Sequence, residues 1–241
     1  MKGNGANVHV LEVRSDFACF SRPELKVERW SYPCPTPGAA RGIFDAIYCH
    51  PPEFWWQIKK IELLVFPSYV ALRRNEVSAI ASTSKIKQWI KKTSRPDPLY
   101  ADDNSIRQQR QTMALRDAKY RIHAQIVPWA GSENRRPAFE AQFARRARRG
   151  KCFQQPYLGC REFVAFFRLI EDLPAEQEKL PPVPLDQDCG LMLYDVFDLH
   201  KQNGRNAAPS VSLFKAVIRS GVLTVPDYAS ADVLKPERRA G

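Results

Sequence analysis

Several segments of the chain alternate between apolar and polar positions with a period of two, a pattern that predicts β-strands. Residues 113–129 show this alternation most clearly. One side of the segment carries Tyr120, Ile122, Ala124 and Ile126, and the other side carries Lys119, Arg121, His123 and Gln125. We therefore expect a strand with one face in the core and the other forming a polar, cationic sheet surface. Further strands are predicted at residues 8–13, 54–66, 70–79, 161–170, 191–199 and 211–225.

Two other segments have apolar residues at helical spacing. The first helix is expected to begin at Pro37, because the Thr36 hydroxyl can accept a backbone N–H and proline suits the first helical position. It must end before Pro51 and Pro52. Its apolar stripe is Ala40, Ile43, Phe44 and Ile47, and its opposite face carries Arg41, Asp45 and Tyr48. The second helix is predicted at residues 137–149, with Phe139, Phe143 and Ala147 turned inwards and Arg145, Arg148 and Arg149 outwards.

The order of these elements is β-α-β-(β, insertion)-β-α-β, which favours an α+β fold of the ferredoxin-like kind found in RNA-recognition modules. The insertion covers residues 82–111 and holds a short helix at 86–90. Residues 171–188 are rich in proline and acidic residues and predict a linker. We therefore expect a ferredoxin-like RNA-binding and catalytic domain at residues 1–172. Residues 173–241 are expected to form the linker and a small C-terminal antiparallel β-sheet module, with a loosely ordered tail from residue 229.

The positive charge is concentrated in the first part of the chain. Residues 1–151 contain 27 basic and 14 acidic residues, whereas residues 152–241 contain 10 and 12. A surplus of this kind predicts a polyanionic partner bound through phosphate neutralisation. Nucleic acid is favoured over a membrane surface because the sequence shows neither a lipid-binding amphipathic helix nor a lipid anchor. The N-terminus lacks the apolar core of a signal peptide, so we expect a soluble cytoplasmic protein.

The sequence predicts no metal site and no cofactor. The six cysteines form no CxxC pair and the four histidines are scattered, so a set of free intracellular thiols is the simplest interpretation. Asp102 and Asp103 stand without further carboxylates nearby, which favours turn chemistry over a metal-dependent nuclease site. If the protein cuts nucleic acid, metal-free RNA chemistry is therefore the natural candidate.

In metal-free RNA cleavage the ribose 2′-OH attacks the adjacent phosphate, and this needs proton transfer and cations around the phosphorane. Tyr48, His123 and Arg136 are the candidate catalytic residues, with Arg135 a further candidate cation. For Tyr48 an ordinary surface tyrosine is the alternative, and for His123 an RNA-contacting role without chemistry. The predicted nucleic-acid-binding residues are Arg22, Lys26, Arg29, Arg41, Arg73, Arg74, Arg121, Arg135, Arg145, Arg148, Arg149 and Lys151.

Four blocks of sequence together resemble a known family. They are DFACFSRPELKVERWSYPCPTPGAARGIFDAIY, LRRNEV, FARRARRGKCFQQPYLGCREF and LMLYDV, which lie between residues 16 and 196. The family is CRISPR-associated Cas family five, variant d, of subtype I-C systems. The resemblance implies a ferredoxin-like fold of the RAMP superfamily with a small C-terminal β-sheet. It also implies an endoribonuclease that cuts CRISPR repeat RNA without metal and then holds the 5′ handle of the crRNA in the surveillance complex.

The resemblance also bears on the site residues and partners. The family uses a tyrosine at the end of the first helix, which matches Tyr48, and a lysine-histidine pair just before the second helix. Ala138 and Phe139 occupy the place of that pair here, and neither can transfer protons. Arg135 and Arg136 lie close by and could replace the positive charge. The implied partners are CRISPR repeat RNA or crRNA and other subunits of the type I-C complex, with double-stranded DNA a further candidate.

Three hypotheses follow from the sequence. The first is a pre-crRNA-processing endoribonuclease in which Tyr48 orients the nucleophile. The second is a non-catalytic RNA- or DNA-binding subunit of the same complex. The third, a structural protein without a nucleic-acid role, is disfavoured by the charge of residues 1–151.

Overall fold

The computed structural model describes residues 7–25, 27–98, 100, 102–202 and 208–236. The strands are β1 (Val8–Ala18), β2 (Arg29–Trp30), β3 (Phe54–Leu63), β4 (Ser68–Val77), β5 (Arg107–Pro128), β6 (Phe166–Ile170), β7 (Gln187–Asp195), β8 (Ser212–Arg219), β9 (Val222–Thr224) and β10 (Val233–Leu234). The helices are α1 (Pro37–Ile47), α2 (Thr83–Ile90), α3 (Arg136–Arg148) and α4 (Leu173–Lys179). The fold is thus a mixed α/β structure with one large, mainly antiparallel sheet.

The centre of the sheet has the strand order β3-β5-β1-β6, with every neighbouring pair antiparallel. Helices α1 and α3 pack on one side of these strands, which we call the helix face. Its buried residues include Leu11 and Val13 of β1, Ile122 of β5 and Phe44 and Phe143 of the two helices. The opposite side, which we call the far face, carries the residues that alternate with these. The predicted apolar stripes of both helices and of β5 are therefore confirmed as core.

Strand β5 begins six residues earlier than predicted and ends one residue earlier, and it belongs to two parts of the molecule. Residues 115–125 pair with β1 and residues 120–128 pair with β3. Residues 107–116 pair with β4 to form a hairpin. Asp117, where the hairpin meets the central sheet, has a left-handed φ of 53°, which aspartate adopts more readily than most residues. Helix α2 lies in the predicted insertion, between the two hairpin strands, and none of its residues is buried. We call the hairpin with its insertion the arm.

The C-terminal strands continue the central sheet. Strand β8 pairs with β7, β9 and β10, and β9 pairs in turn with β3. Residues 171–188, expected to be a linker, instead contain α4 and a segment whose Val183 and Leu185 pack against the core. The expectation of a loosely ordered tail from residue 229 is wrong for β10, where Val233 is buried. The domain boundary at residue 172 stays a prediction, and the strands on its two sides share one sheet.

Candidate functional site

Tyr48 lies directly after α1, where the chain leaves the helix with an extended backbone. Its N–H closes the helix by donating to the Phe44 carbonyl at 2.9 Å. The ring packs against Phe54 with 5.4 Å between centroids, and Phe54 packs in turn against Phe139 at 5.0 Å. Trp56 donates its indole N–H to the Tyr48 carbonyl at 2.9 Å. An aromatic wall from three elements therefore fixes the position of this tyrosine at the end of the helix face.

Two arginines set the electrostatics around Tyr48. Arg146 of α3 donates to the Ile47 carbonyl at 2.6 Å, and the Arg135 guanidinium lies 5.3 Å from the centre of the Phe139 ring and pairs with Glu53. Burial raises the pKa of Tyr48 above its ordinary value, and the charges of Arg135 and Arg146 offset part of that rise. The phenol is therefore neutral near pH 7. Its hydroxyl makes no hydrogen bond to the residues that the structure describes, so a bound molecule can take that place.

His123 does not meet Tyr48, contrary to the predicted catalytic set. Its neighbours Ile122 and Ala124 belong to the core of the helix face, so the alternation of the strand turns His123 to the far face. Tyr48 and its partner Phe54 lie on the helix face, and the sheet separates the two candidate groups. His123 is also only 3% exposed. The prediction that His123 assists Tyr48 on an RNA-facing surface is therefore wrong.

On the far face, His123 belongs to a buried cluster of charges centred on Glu62. The Glu62 carboxylate lies 3.0 Å from His123 Nε2, 2.6 Å from Arg121 Nη1 and 2.8 Å from Lys60 Nζ. Burial alone would raise the pKa of Glu62, but the hydrogen bonds from these three side chains outweigh it and hold that pKa well below its usual range. Burial lowers the pKa of His123 despite the bond to Glu62. The cluster thus stays ionised at Glu62 and neutral at His123 near pH 7.

Arg121 was predicted to contact nucleic acid, but its side chain is 0% exposed. Besides its bond to Glu62, Arg121 donates to the carbonyls of Glu176 and Leu180 at 3.1 Å each. These carbonyls belong to α4 and the residue after it, at the C-terminal end of the helix, where the helix dipole favours cations. Helix α4 therefore covers this part of the far face, and the prediction for Arg121 is wrong.

Arg41 was also predicted to face outwards, together with Asp45 and Tyr48. The structure buries Arg41, with its guanidinium 2.9 Å from Asp45 and 2.7 Å from Asp195 at the end of β7. Asp195 also accepts the N–H groups of Val196 and Phe197. The prediction that Arg41 binds nucleic acid is wrong, because this arginine connects α1 to the C-terminal strands. A contact between residues 154 positions apart leaves no trace in the local pattern.

The remaining predicted binding residues form two groups. On and after α3, Arg145, Arg148, Arg149 and Lys151 are exposed, as is Arg135 before it. At the base of the arm, Arg73 is exposed and Arg22, Arg29 and Arg74 are half-buried. Lys26 lies outside the described residues. Arg136, the third catalytic candidate, is half-buried and its guanidinium lies 3.6 Å from Glu140. Arg136 is the first residue of α3, and its catalytic role stays a prediction.

The sequence analysis gave Arg146 no role. The helical spacing from the core residue Phe143 was the available signal, because a residue three positions later lies on the same side of a helix. Within the described residues, no group of three or more histidine, cysteine or acidic side chains could hold a metal ion. In the same part of the chain no helix has the length and apolarity needed to cross a membrane.

A family model and two relatives from other organisms match this chain, and they carry the same family name. The family model Cas_Cas5d, described as CRISPR-associated protein (Cas_Cas5), matches residues 9–226. A protein of Mannheimia succiniciproducens named CRISPR pre-crRNA endoribonuclease Cas5d is 39% identical over 231 residues, which cover 95% of this chain and 99% of the relative. A protein of the same name from Thermus thermophilus is 36% identical over 228 residues, which cover 90% of each chain.

The fold has a match among solved structures. The crystal structure of a protein described as a CRISPR-associated protein superposes with a TM-score of 0.64, covering 95% of this chain and 97% of the other. The two sequences are 19% identical, so this likeness concerns the fold alone.

Proposed function

Because this chain belongs to the Cas5d family of CRISPR-associated proteins, we propose that it is a metal-independent endoribonuclease that cleaves CRISPR repeat RNA within pre-crRNA. One observation carries the proposal. Two relatives named as pre-crRNA endoribonucleases align with nearly the whole chain at 36% and 39% identity. The aligned region includes Tyr48 and the arginines beside it, so the groups proposed here for the reaction lie within the shared part.

The proposed reaction is attack of a ribose 2′-OH on the neighbouring phosphate, which leaves a cyclic phosphate and a 5′-OH. Tyr48 presents a neutral hydroxyl, without a partner among the described residues, at an edge of the helix face. Such a hydroxyl can orient the nucleophile or donate to a phosphate oxygen. Arg135 and Arg146, whose charges act on Tyr48, supply the positive charge that stabilises the phosphorane.

The RNA is proposed to continue from Tyr48 along α3. Arg145, Arg148 and Arg149 are exposed on one helix and the residue after it, and arginine makes bidentate contacts to phosphate. Arg136 is proposed to assist from the start of the same helix. Arg22, Arg29, Arg73 and Arg74 form a second basic surface at the base of the arm, which is proposed to hold another part of the RNA.

After cleavage, the protein is proposed to stay on the 5′ handle of the crRNA as a cytoplasmic subunit of a type I-C surveillance complex. The proposed ferredoxin-like character of the core is supported by the strand order β3-β5-β1-β6, with α1 following β1 and α3 following β5. Double-stranded DNA is proposed as a further ligand of the basic surfaces, since the phosphate contacts of arginine do not distinguish RNA from DNA.

The test is incubation of the purified protein with RNA of its own CRISPR repeat in the presence of EDTA. We expect a single cut that leaves a 5′-OH, and we expect Tyr48→Phe to slow it by about 100-fold, within the range of general acid–base contributions. Tyr100→Phe, which changes an exposed tyrosine of the arm, is the matched control and should cut at the wild-type rate. Full activity of Tyr48→Phe would remove this tyrosine from the mechanism, and absence of any cut would remove the enzyme.

A second candidate function is RNA or DNA binding without cleavage. The observation in its favour is Phe139, which occupies a place where the resemblance implies a catalytic residue and is instead buried in the aromatic wall at 2% exposure. The same assay separates the candidates. Repeat-specific binding with intact RNA after long incubation would establish the binding subunit.

A further inference from the structure

Two cysteines share a cationic environment that the proposed RNA chemistry does not use. Cys19 follows β1 and is 1% exposed, whereas Cys160 lies in the turn before β6 and is half-buried. Cys160 packs against the small buried cluster formed by Cys19, Ala114 and Phe163, and each of the two thiols shifts the pKa of the other. The pair is therefore a contact between distant parts of the chain.

The backbone holds the two cysteines in place. The Cys19 N–H donates to the Leu158 carbonyl at 3.0 Å. Gly159, between Leu158 and Cys160, has a φ of +85°, and a Cβ on it would lie 1.9 Å from the Cys19 carbonyl oxygen. Only glycine fits such a close approach of two backbones. The fold thus holds the backbone of Cys19 directly beside the residues that precede Cys160.

Cations surround one of the two sulfur atoms. Arg29 Nη1 lies 3.5 Å from Cys160 Sγ, and Arg74 also acts on this thiol. Glu76 pairs with both arginines, and Glu162 pairs with Arg74. The interaction with the Cys19 thiol and the charges of the arginines lower the pKa of Cys160 to about 6. The interaction with the Cys160 thiol and burial raise the pKa of Cys19.

The other close pair of cysteines provides an internal contrast. Cys34 and Cys189 are both buried, and Cys189 acts electrostatically on Cys34. Burial raises the pKa of Cys34 well above its ordinary value and that of Cys189 to about 11. Thiols in such apolar surroundings stay protonated and inert, whereas a partly exposed thiol among cations is the form that reacts.

We propose that Cys160 is a site of oxidation by hydroperoxides, with Cys19 as the resolving thiol that converts the product into a Cys19–Cys160 disulfide. In the first step the Cys160 thiolate attacks one peroxide oxygen. An S–O bond forms, the O–O bond breaks, and the released oxygen takes a proton to leave as water or an alcohol. Cys160 is thereby oxidised to a sulfenic acid, and the peroxide is reduced by two electrons.

In the second step the Cys19 sulfur attacks the sulfenic sulfur. The S–S bond forms, the S–O bond breaks, and the hydroxide leaves with the Cys19 proton as water. Oxidation removes one negative charge from beside Arg29, an arginine of the proposed RNA surface at the base of the arm. The disulfide would also join the end of β1 to the turn before β6.

The test uses the full reduced protein and one equivalent of hydrogen peroxide, followed by alkylation and peptide mapping. We expect the first product to be a Cys19–Cys160 cross-link that lowers the intact mass by two hydrogen atoms. In Cys19→Ser, oxidation should stop at a Cys160 sulfenic acid that a 1,3-dione reagent captures. Cys152→Ser, which changes another half-buried cysteine, should leave the cross-link unchanged.

A second measurement keeps the proposal testable if a cysteine variant fails to fold. In otherwise native protein at pH 6, Arg29→Gln should slow alkylation of Cys160 by roughly fivefold to tenfold, while Arg29→Lys should restore most of the rate. Oxidation of Cys34, Cys152 or Cys189 before Cys160 would overturn the proposal. So would a folded wild-type protein whose Cys160 stops at the sulfenic acid.

Discussion

The two faces of the central sheet use opposite means of burial. The helix face is closed by aromatic rings: Trp56 lies 4.9 Å from Phe44 and 4.6 Å from Phe143 between ring centres. The far face instead buries ion pairs around Glu62, and α4 covers them. An apolar face tolerates small losses of packing, whereas a buried ionic cluster must keep every member or leave a charge without a partner. The candidate reaction lies at the edge of the first face.

The contrast between the two faces predicts that the most destabilising substitution is at Glu62. The variant Glu62→Ala leaves Arg121 buried without its carboxylate partner, and we expect the free energy of unfolding to fall by about 3–5 kcal/mol. Glu178→Ala removes an exposed carboxylate of α4 and should change it by less than about 0.5 kcal/mol. Urea denaturation measures both. Equal stability of the two variants would show that the far face does not depend on its ion pairs.

The pH dependence of stability sharpens the same contrast. Burial lowers the pKa of His123 on the far face and of His9 on the helix face. Each therefore binds its proton more readily in the unfolded chain, so stability should fall as the pH drops below about 6.5. The slope cannot exceed about 1.4 kcal/mol per pH unit for each histidine.

His123→Gln should flatten this slope without abolishing it, because His9 still titrates. His9→Gln is the matched variant on the other face. Urea denaturation between pH 5 and pH 7.5 gives the slopes, since this range extends to about 1.5 pH units below and about 1 above the ordinary histidine pKa. A wild-type protein whose stability is constant over this range would contradict the burial of both histidines.

The smallest expected effect is on RNA binding by the exposed arginines of α3, which covers the helix face. Changing Arg145, Arg148 and Arg149 together to glutamine should weaken RNA binding and reduce the slope of log affinity against log salt by up to about 2, or about 0.7 for each lost contact with a single strand. Arg148 also pairs with Glu171 at 2.8 Å, so its share should be the smallest. Arg219→Gln, on the C-terminal strands, is the control. An unchanged slope in the triple variant would move the RNA away from α3.

The sequence predicted local elements well because their signals are local. Thr36 accepts the Ala39 N–H at 3.2 Å and Pro37 opens α1, as the capping pattern indicated. The alternation in β5 correctly separated Ile122 from His123 into two faces. What alternation cannot tell is what covers a polar face, and the segment that covers this one looked like a linker.

The errors at the candidate site have the same origin. Arg41 and Arg121 have the charge and spacing of surface residues, and only contacts with Asp195 and Glu62 bury them. Such contacts join residues 59 and 154 positions apart. The position of Tyr48 at the end of α1 was predicted correctly because the end of a helix is a local feature. Arg146 was not given a role because its nearness to Tyr48 arises from the packing of α3 against α1.

Strand β5 has a mechanical consequence. Its 22 residues, at about 3.3 Å each, extend for about 70 Å, and a single strand runs through both the arm and the central sheet. The arm and the central sheet with its two faces therefore share one continuous backbone. A force applied to the arm is transmitted to β1 and β3 through the hydrogen bonds between the strands. Asp117 is the one residue of β5 with a left-handed backbone conformation. A partner that binds the arm therefore also restrains the sheet behind Tyr48.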